Sequence, residues 1–175
     1  IEIQKIVSQM GYKVIMTSEK CLTGTDRLAE ASSKIKADIY VNVQGDEPLI
    51  NPDDIIKIID AKINNPNDVI NGFTAIDDNT DPDSVNIPKV VFNEDKVLVY
   101  MSRKKIPGFK RDKDEPKIYY KQVCIYAFNR EELEAFRKFG RKSILERSED
   151  IEILRFLDLG RTIRLVEMED NSLAV

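Results

Sequence analysis

Two stretches carry residues whose types and spacing could do chemistry. In "DIYVNVQGDEPLINPDDI", Asp38 to Ile55, an apolar run ends in Gln44, Gly45, Asp46, Glu47 and Pro48. Ligands of open parallel sheets sit beyond the carboxyl ends of the strands, so such a run would deliver Asp46 to a crevice. Gly45 permits close backbone approach, and Pro48 stiffens the exit. A carboxylate there suits Mg²⁺, a hard ion that takes one or two carboxylates plus phosphate oxygens. The plain alternative is a strand followed by an acidic turn.

The second stretch is "MTSEKCLTGTDRLAE". Thr23, Gly24 and Thr25 offer hydroxyls and an unobstructed backbone at a helix N-terminus, where amide donors receive anionic or carbonyl oxygens. Arg27 adds charge-assisted bonds. Here the plain alternative is N-capping by Thr25 or Asp26. Cys21 has no base beside it in sequence and reads as an ordinary thiol. The chain has no histidine, which removes Ser-His and Cys-His nucleophiles and His-ligated metals.

The elements that must position these residues follow from periodicity. Ile1, Ile3, Ile6, Val7 and Met10 recur at helical spacing, and Gly11 closes that helix. "YKVIM" reads as a buried strand, "TGTDRLAEASSKI" as a helix and "DIYVNV" as the next strand. "PDDIIKIIDAKINN" is a helix with Pro52 and two acids in its first turn, and "DVINGFTAI" is a strand. This alternation predicts a parallel α/β sheet with covered faces. After Asp77, "PKVVFNEDKVLVYMSR" reads as a hairpin around "NEDK", and "YYKQVCIYAF" as a long strand. "REELEAFRKF" is a short helix, "RSEDIEILRFLDLG" an amphipathic one closed by Gly160, and "TIRLVEM" a strand; the closing "NSLAV" also reads as strand. Residues 1–175 form a single domain in this reading, with 86–129 as a hairpin and dimerisation lobe.

The totals bound the function. Of 175 residues, 42% are hydrophobic and 33% charged, an ordinary globular composition. Lys+Arg is 27 against Asp+Glu 31, a net charge of −4, which argues against nonspecific binding to nucleic acid or anionic membrane. A local basic pocket for a phosphorylated small molecule stays compatible with it. No apolar run approaches the roughly 20 residues of a membrane span, so a soluble chain is expected. Two cysteines, Cys21 and Cys124, fit a reducing cytoplasm rather than a disulfide framework.

The two motifs in this order, "MTS…TGTDRLAE" then "ADIYVNVQGDEPLI", resemble the 3-deoxy-manno-octulosonate (KDO) cytidylyltransferases, the CMP-KDO synthetases. The likeness runs on through "PKVVFNEDKVLVYMSRKKIP", "CIYAF" and "SILERSEDIEILRFLDLGRTIRLVE", nearly the whole chain. It implies a three-layer, Rossmann-like nucleotidyltransferase fold, α/β with a mostly parallel sheet and a β-hairpin extension. It implies CTP and a 2-keto sugar acid as substrates, CMP-sugar and pyrophosphate as products, Mg²⁺ as cofactor, and a cytoplasmic homodimer serving lipopolysaccharide or capsule synthesis. By the same resemblance Thr23, Gly24, Thr25 and Arg27 surround the nucleotide and Asp46 ligates the metal. Gln44, Gln122, Tyr126 and Glu152 face the sugar, and Arg103 helps bind and turn over the sugar acid. Other readings are a nucleotidyltransferase for another sugar acid (8-amino-KDO or a sialic-acid type) and a nonenzymatic nucleotide-binding module.

The chain departs from the family pattern in three ways. The opening basic loop of the form "IPARYxSTRLPGKPL" is absent, and the "DTPEDL" segment with a second metal-binding aspartate would follow "SLAV". Sequence upstream of Ile1 and downstream of Val175 is therefore expected. On the sugar side Gln122 stands for a usual His and Ile153 for a usual Gln, while Cys21 replaces a usual His in "HxSGT".

Overall fold

The computed structural model describes residues 2–45 and 49–169. In chain order the elements are α1 (Glu2–Gln9), α2 (Gly24–Lys34), β1 (Tyr40–Val43), α3 (Pro52–Asn64), β2 (Val69–Ala75), β3 (Lys89–Phe92) and β4 (Leu98–Ser102). After a 3₁₀ turn at Asp112–Asp114 come β5 (Tyr120–Phe128), α4 (Arg130–Phe139), α5 (Ile144–Glu149), α6 (Leu154–Asp158) and β6 (Ile163–Glu167). The six strands form one sheet in the order β4-β3-β5-β2-β6, with β1 also paired to β5.

The alternating side chains of β5 separate the layers. Tyr126 and Phe128 face one core, shared with Ala29 of α2, Leu133 and Phe136 of α4, and Leu154 and Phe156 of α6. Val123, Ile125 and Ala127 face the other, covered by Ile58 of α3. Helices thus cover both faces, the three layers expected of the sequence.

Strand direction corrects the expectation of a mostly parallel sheet. β5 runs antiparallel to β1, β2 and β3, and β3 is antiparallel to β4. The parallel ladder is β2 with β6. A period-two apolar pattern is the same read in either direction, so sequence could place β5 without orienting it. Residues Tyr12–Met16, expected as a strand, are extended but belong to no strand among the described residues, and Tyr12 is 66% exposed. The helix expected over "RSEDIEILRFLDLG" is broken in two: Asp150 takes a left-handed conformation, φ 52°, which ends α5, and α6 starts only at Leu154. "NSLAV" lies outside the described residues.

Several local signals hold. Pro52 opens α3, with Asn51 accepting from Asp53 N at 3.0 Å. Asn129 and Glu132 form a reciprocal cap on α4, which stops at Gly140, φ 71°. Helix α1 buries none of its residues among those described. No helix among the described residues is long and apolar enough to cross a membrane.

Candidate active site

The tip of β1 and the first turn of α2 meet on a single carboxylate. Gln44 leaves β1 with its N–H donated to Cys124 O of β5 at 3.3 Å, which fixes the strand end. Its side chain lies on the face of Tyr40 and donates from Nε2 to Glu152 Oε1 at 2.5 Å. The other oxygen of Glu152 accepts from Thr25 N at 3.0 Å, one of the amides that a helix start leaves without an internal partner. Both side chains lie over the Gly24 backbone: a Cβ there would meet Gln44 Nε2 at 3.4 Å and both Glu152 oxygens at 3.7 Å, ordinary contact distances. Glu152, expected to face the sugar, therefore joins the two motifs that sequence placed apart.

The cap of α2 is Thr23 rather than Thr25 or Asp26. Thr23 Oγ1 accepts from Asp26 N at 3.2 Å and donates to Asp26 Oδ2 at 3.0 Å. Thr25 is buried, and its amide is held by Glu152. Arg27 reaches back to Thr17 Oγ1 at 2.8 Å and Ser18 O at 3.2 Å, which ties the preceding loop to α2.

Sequence reasoning missed the group that holds Asp26. Arg155 of α6 is wholly buried and donates to Asp26 Oδ1 at 2.8 Å and Oδ2 at 3.3 Å, and to both oxygens of Glu146 at 2.7 Å. Its guanidinium lies 3.7 Å from the centroid of the Phe136 ring. Burial works against its charge, but the bonds it donates to Glu146 and Asp26 outweigh that and hold its pKa above the ordinary value. The signal in sequence was an Arg three residues after Glu152, on a helix that otherwise reads as apolar.

Arg103 sits at the end of β4 as a staple. Its Nε donates to Glu149 O at 2.6 Å, and its two terminal nitrogens to Val85 O at 3.0 Å and Asp150 O at 3.1 Å, so two of a guanidinium's five N–H groups have no partner among the described residues. Glu149 in turn accepts from Arg103 N at 2.8 Å and Ser102 Oγ at 2.9 Å. Lys89, fully buried, donates to Ser84 O at 2.8 Å and to Arg103 O, and burial pulls its pKa down.

Gln122 and Tyr126 do come together, on the same face of β5 as Gln44's neighbour Cys124. Gln122 Nε2 lies 3.2 Å from Tyr126 Oη and 3.3 Å from Asn71 Oδ1 of β2. Asn71 was not anticipated, since one Asn inside an apolar strand carries no pattern. Asn42, opposite Tyr126 on β1, keeps a buried Nδ2 that finds no acceptor among the described residues. Ile153, expected to face the sugar, is 1% exposed and lies in the core shared by α4 and α6. Asp46 falls outside the described residues. Among the described residues no group of three or more acidic, cysteine or histidine side chains could hold a metal.

Against known proteins, the cytidylyltransferase family profile matches residues 1–163. The 3-deoxy-manno-octulosonate cytidylyltransferase of Flavobacterium johnsoniae is 37% identical over 166 residues, which cover 93% of this chain and 67% of that protein. The protein of the same name in Solibacter usitatus is 40% identical over 167 residues, covering 94% of this chain and 65% of its own length. A solved structure of CMP:2-keto-3-deoxy-manno-octonic acid synthetase complexed with CTP aligns with a TM-score of 0.88 at 34% identity, over 99% of this chain and 71% of that one.

Proposed function

The chain belongs to the cytidylyltransferase family, and we propose that the whole protein activates KDO with CTP, giving CMP-KDO and pyrophosphate. The names of its relatives and the CTP held by the structural neighbour support that substrate pair. Within this chain the reading is carried by Glu152, which fastens the tip of β1 to the start of α2 and so makes one site of the two motifs.

In this reaction the anomeric hydroxyl of the sugar attacks the α-phosphorus of CTP. An O–P bond forms, the bond to the bridging oxygen breaks, and pyrophosphate leaves in line. Such transfer rests on positioning and charge stabilisation rather than on a protein nucleophile, which suits a chain without histidine. Thr23 and Gly24 open the helix start that would meet the nucleotide, the Thr23 hydroxyl as an acceptor since its hydrogen goes to Asp26, with Arg27 one turn on. Gln44 at the β1 tip, Gln122 beyond it and Tyr126 opposite Asn42 are polar groups along one face, suited to a polyhydroxylated acid. Arg103 has two N–H groups left for a carboxylate.

Mg²⁺ belongs to the same proposal, with Asp46 as its carboxylate; when bound it would offset charge on the phosphate oxygens. The support is the chemistry of an acidic pair one residue past Gly45. Glu152, the described carboxylate that touches the strand tip, has both oxygens engaged, so no step is routed through the metal. Homodimerisation, a cytoplasmic location and service to lipopolysaccharide or capsule synthesis are likewise proposed, on the strength of family membership. The test is pyrophosphate release by the full-length protein with each of the four nucleoside triphosphates. Release that requires CTP and KDO together is expected; equal release with another triphosphate, or none with KDO, overturns the reading.

A further inference from the structure

A chain of hydrogen bonds on the inner face of β5 has its direction fixed from one end. The β2–β5 ladder shifts register between Asn71 and Gly72. Asn71 is fully buried and turns its Nδ2 to two carbonyls of the shifted stretch, Val123 O at 3.0 Å and Ile125 O at 2.9 Å. A backbone carbonyl only accepts, so the Asn71 amide can face these two with its nitrogen and not its oxygen. Its Oδ1 is therefore the atom turned to Gln122, and it receives Gln122 Nε2 at 3.3 Å. The same nitrogen lies 3.2 Å from Tyr126 Oη. Both amide hydrogens of Gln122 are spent in this way, and its Oε1 accepts no hydrogen bond among the described residues. It is not sealed in either: Gln122 is 9% exposed, and its oxygen is not among the buried polar atoms left without a partner. Since Gln44 N meets β5 at Cys124, Gln122 lies two residues beyond the β1 tip, on the side where a ligand would rest.

We propose that Asn71 is a positioning residue for the choice of sugar acid. By fixing the Gln122 amide it makes the site present a carbonyl acceptor, which selects a substrate that brings a hydrogen-bond donor there, a hydroxyl or an ammonium. The proposal rests on the cytidylyltransferase reading. A buried acceptor left unpaired discriminates strongly against a ligand that lacks the donor.

The experiment measures kcat/KM of the full-length enzyme for KDO and for analogues with one hydroxyl at a time replaced by hydrogen, fluorine or an amino group. Fluorine accepts weakly and never donates. At one carbon the hydrogen and fluorine analogues are expected to fall together, by tenfold or more, while the amino analogue keeps its rate. In Asn71→Ala the Gln122 amide is released to turn, and the gap between KDO and that fluorine analogue is expected to close by severalfold, chiefly in KM. A merely structural role for Asn71 would lower Tm and leave that ratio alone. Should Asn71→Ala not fold, Asn71→Val, which fills the buried space without an amide, takes its place with the same ratio as readout. Fluorine retaining activity at every carbon where hydrogen loses it, or an unchanged ratio in a folded Asn71→Ala, overturns the proposal. Absence of CTP-dependent turnover with every sugar acid instead defeats the cytidylyltransferase reading, and the proposal with it.

Discussion

Gln44 and Glu152 lie 108 positions apart in the chain and 2.5 Å apart in space. Their bond is charge-assisted, and the second Glu152 oxygen holds Thr25 N at 3.0 Å, so one side chain sets the distance between the strand tip and the helix start. Glu152→Ala removes both contacts. Hydrogen bonds to a charged group contribute about 1.5–3 kcal/mol, so kcat/KM is expected to fall roughly tenfold to a hundredfold. Glu152→Gln should lose less, because its amide oxygen can still take Thr25 N and its nitrogen can donate to a turned Gln44. Equal activity of the alanine variant and wild type would show that the clamp does not matter to turnover.

Arg155 sits between Asp26 and Glu146 with no exposed surface. Arg155→Met fills most of the volume but strands two carboxylates, one of them fully buried. Breaking a buried pair costs about 3–5 kcal/mol, which should appear as a lower urea midpoint with an unchanged slope. Adding Glu146→Gln to Arg155→Met should recover part of the loss, since one stranded charge disappears. A double variant no more stable than Arg155→Met would place the cost in packing against Phe136 instead.

These two relationships show where sequence reading stops. The stops at Gly11 and Gly160, the "NEDK" hairpin and the Pro52 start were legible because each is a local backbone requirement. The direction of β5 was not, because alternation has no polarity. Glu152 was expected at the site from the resemblance, but its partners, Gln44 and Thr25 N, come from two other elements that only folding brings near. Arg155 and Asn71 were missed for the same reason: each is one polar residue within an apolar run, and its meaning depends on what lies across the core. The break at Asp150 escaped notice because a non-glycine residue at φ 52° gives no compositional warning.

Glu30 gives a pH signature. It accepts from Lys34 Nζ at 2.8 Å and from Ser18 N at 2.9 Å, and these bonds hold its carboxyl down at about 2 against an ordinary 4.5. The folded pKa is depressed, so the stability it contributes is fully present above 4.5 and is lost as pH falls through about 2. Wild type should therefore exceed Glu30→Gln in Tm near neutral pH, and the difference should shrink steadily between pH 4.5 and 2. A constant difference across that window would mean that the carboxylate charge is not what ties the loop at Ser18 to α2.

The proposed Mg²⁺ site turns on Asp46. In sequence it follows Gly45 and Gln44, and Gln44 is held by Cys124 O and by Glu152 beside the α2 start. A magnesium ion bound there would take the Asp46 carboxylate as a ligand, a role that depends on its charge rather than on packing. Asp46→Asn in the full-length protein keeps shape and removes the charge. It is expected to abolish Mg²⁺-dependent pyrophosphate release while leaving the melting temperature of the metal-free protein within a few degrees of wild type. The readouts are turnover against Mg²⁺ concentration and thermal melting without metal. A variant that keeps the wild-type magnesium dependence would remove Asp46 from the metal site, and a variant that melts far lower would make it a structural residue of the strand tip.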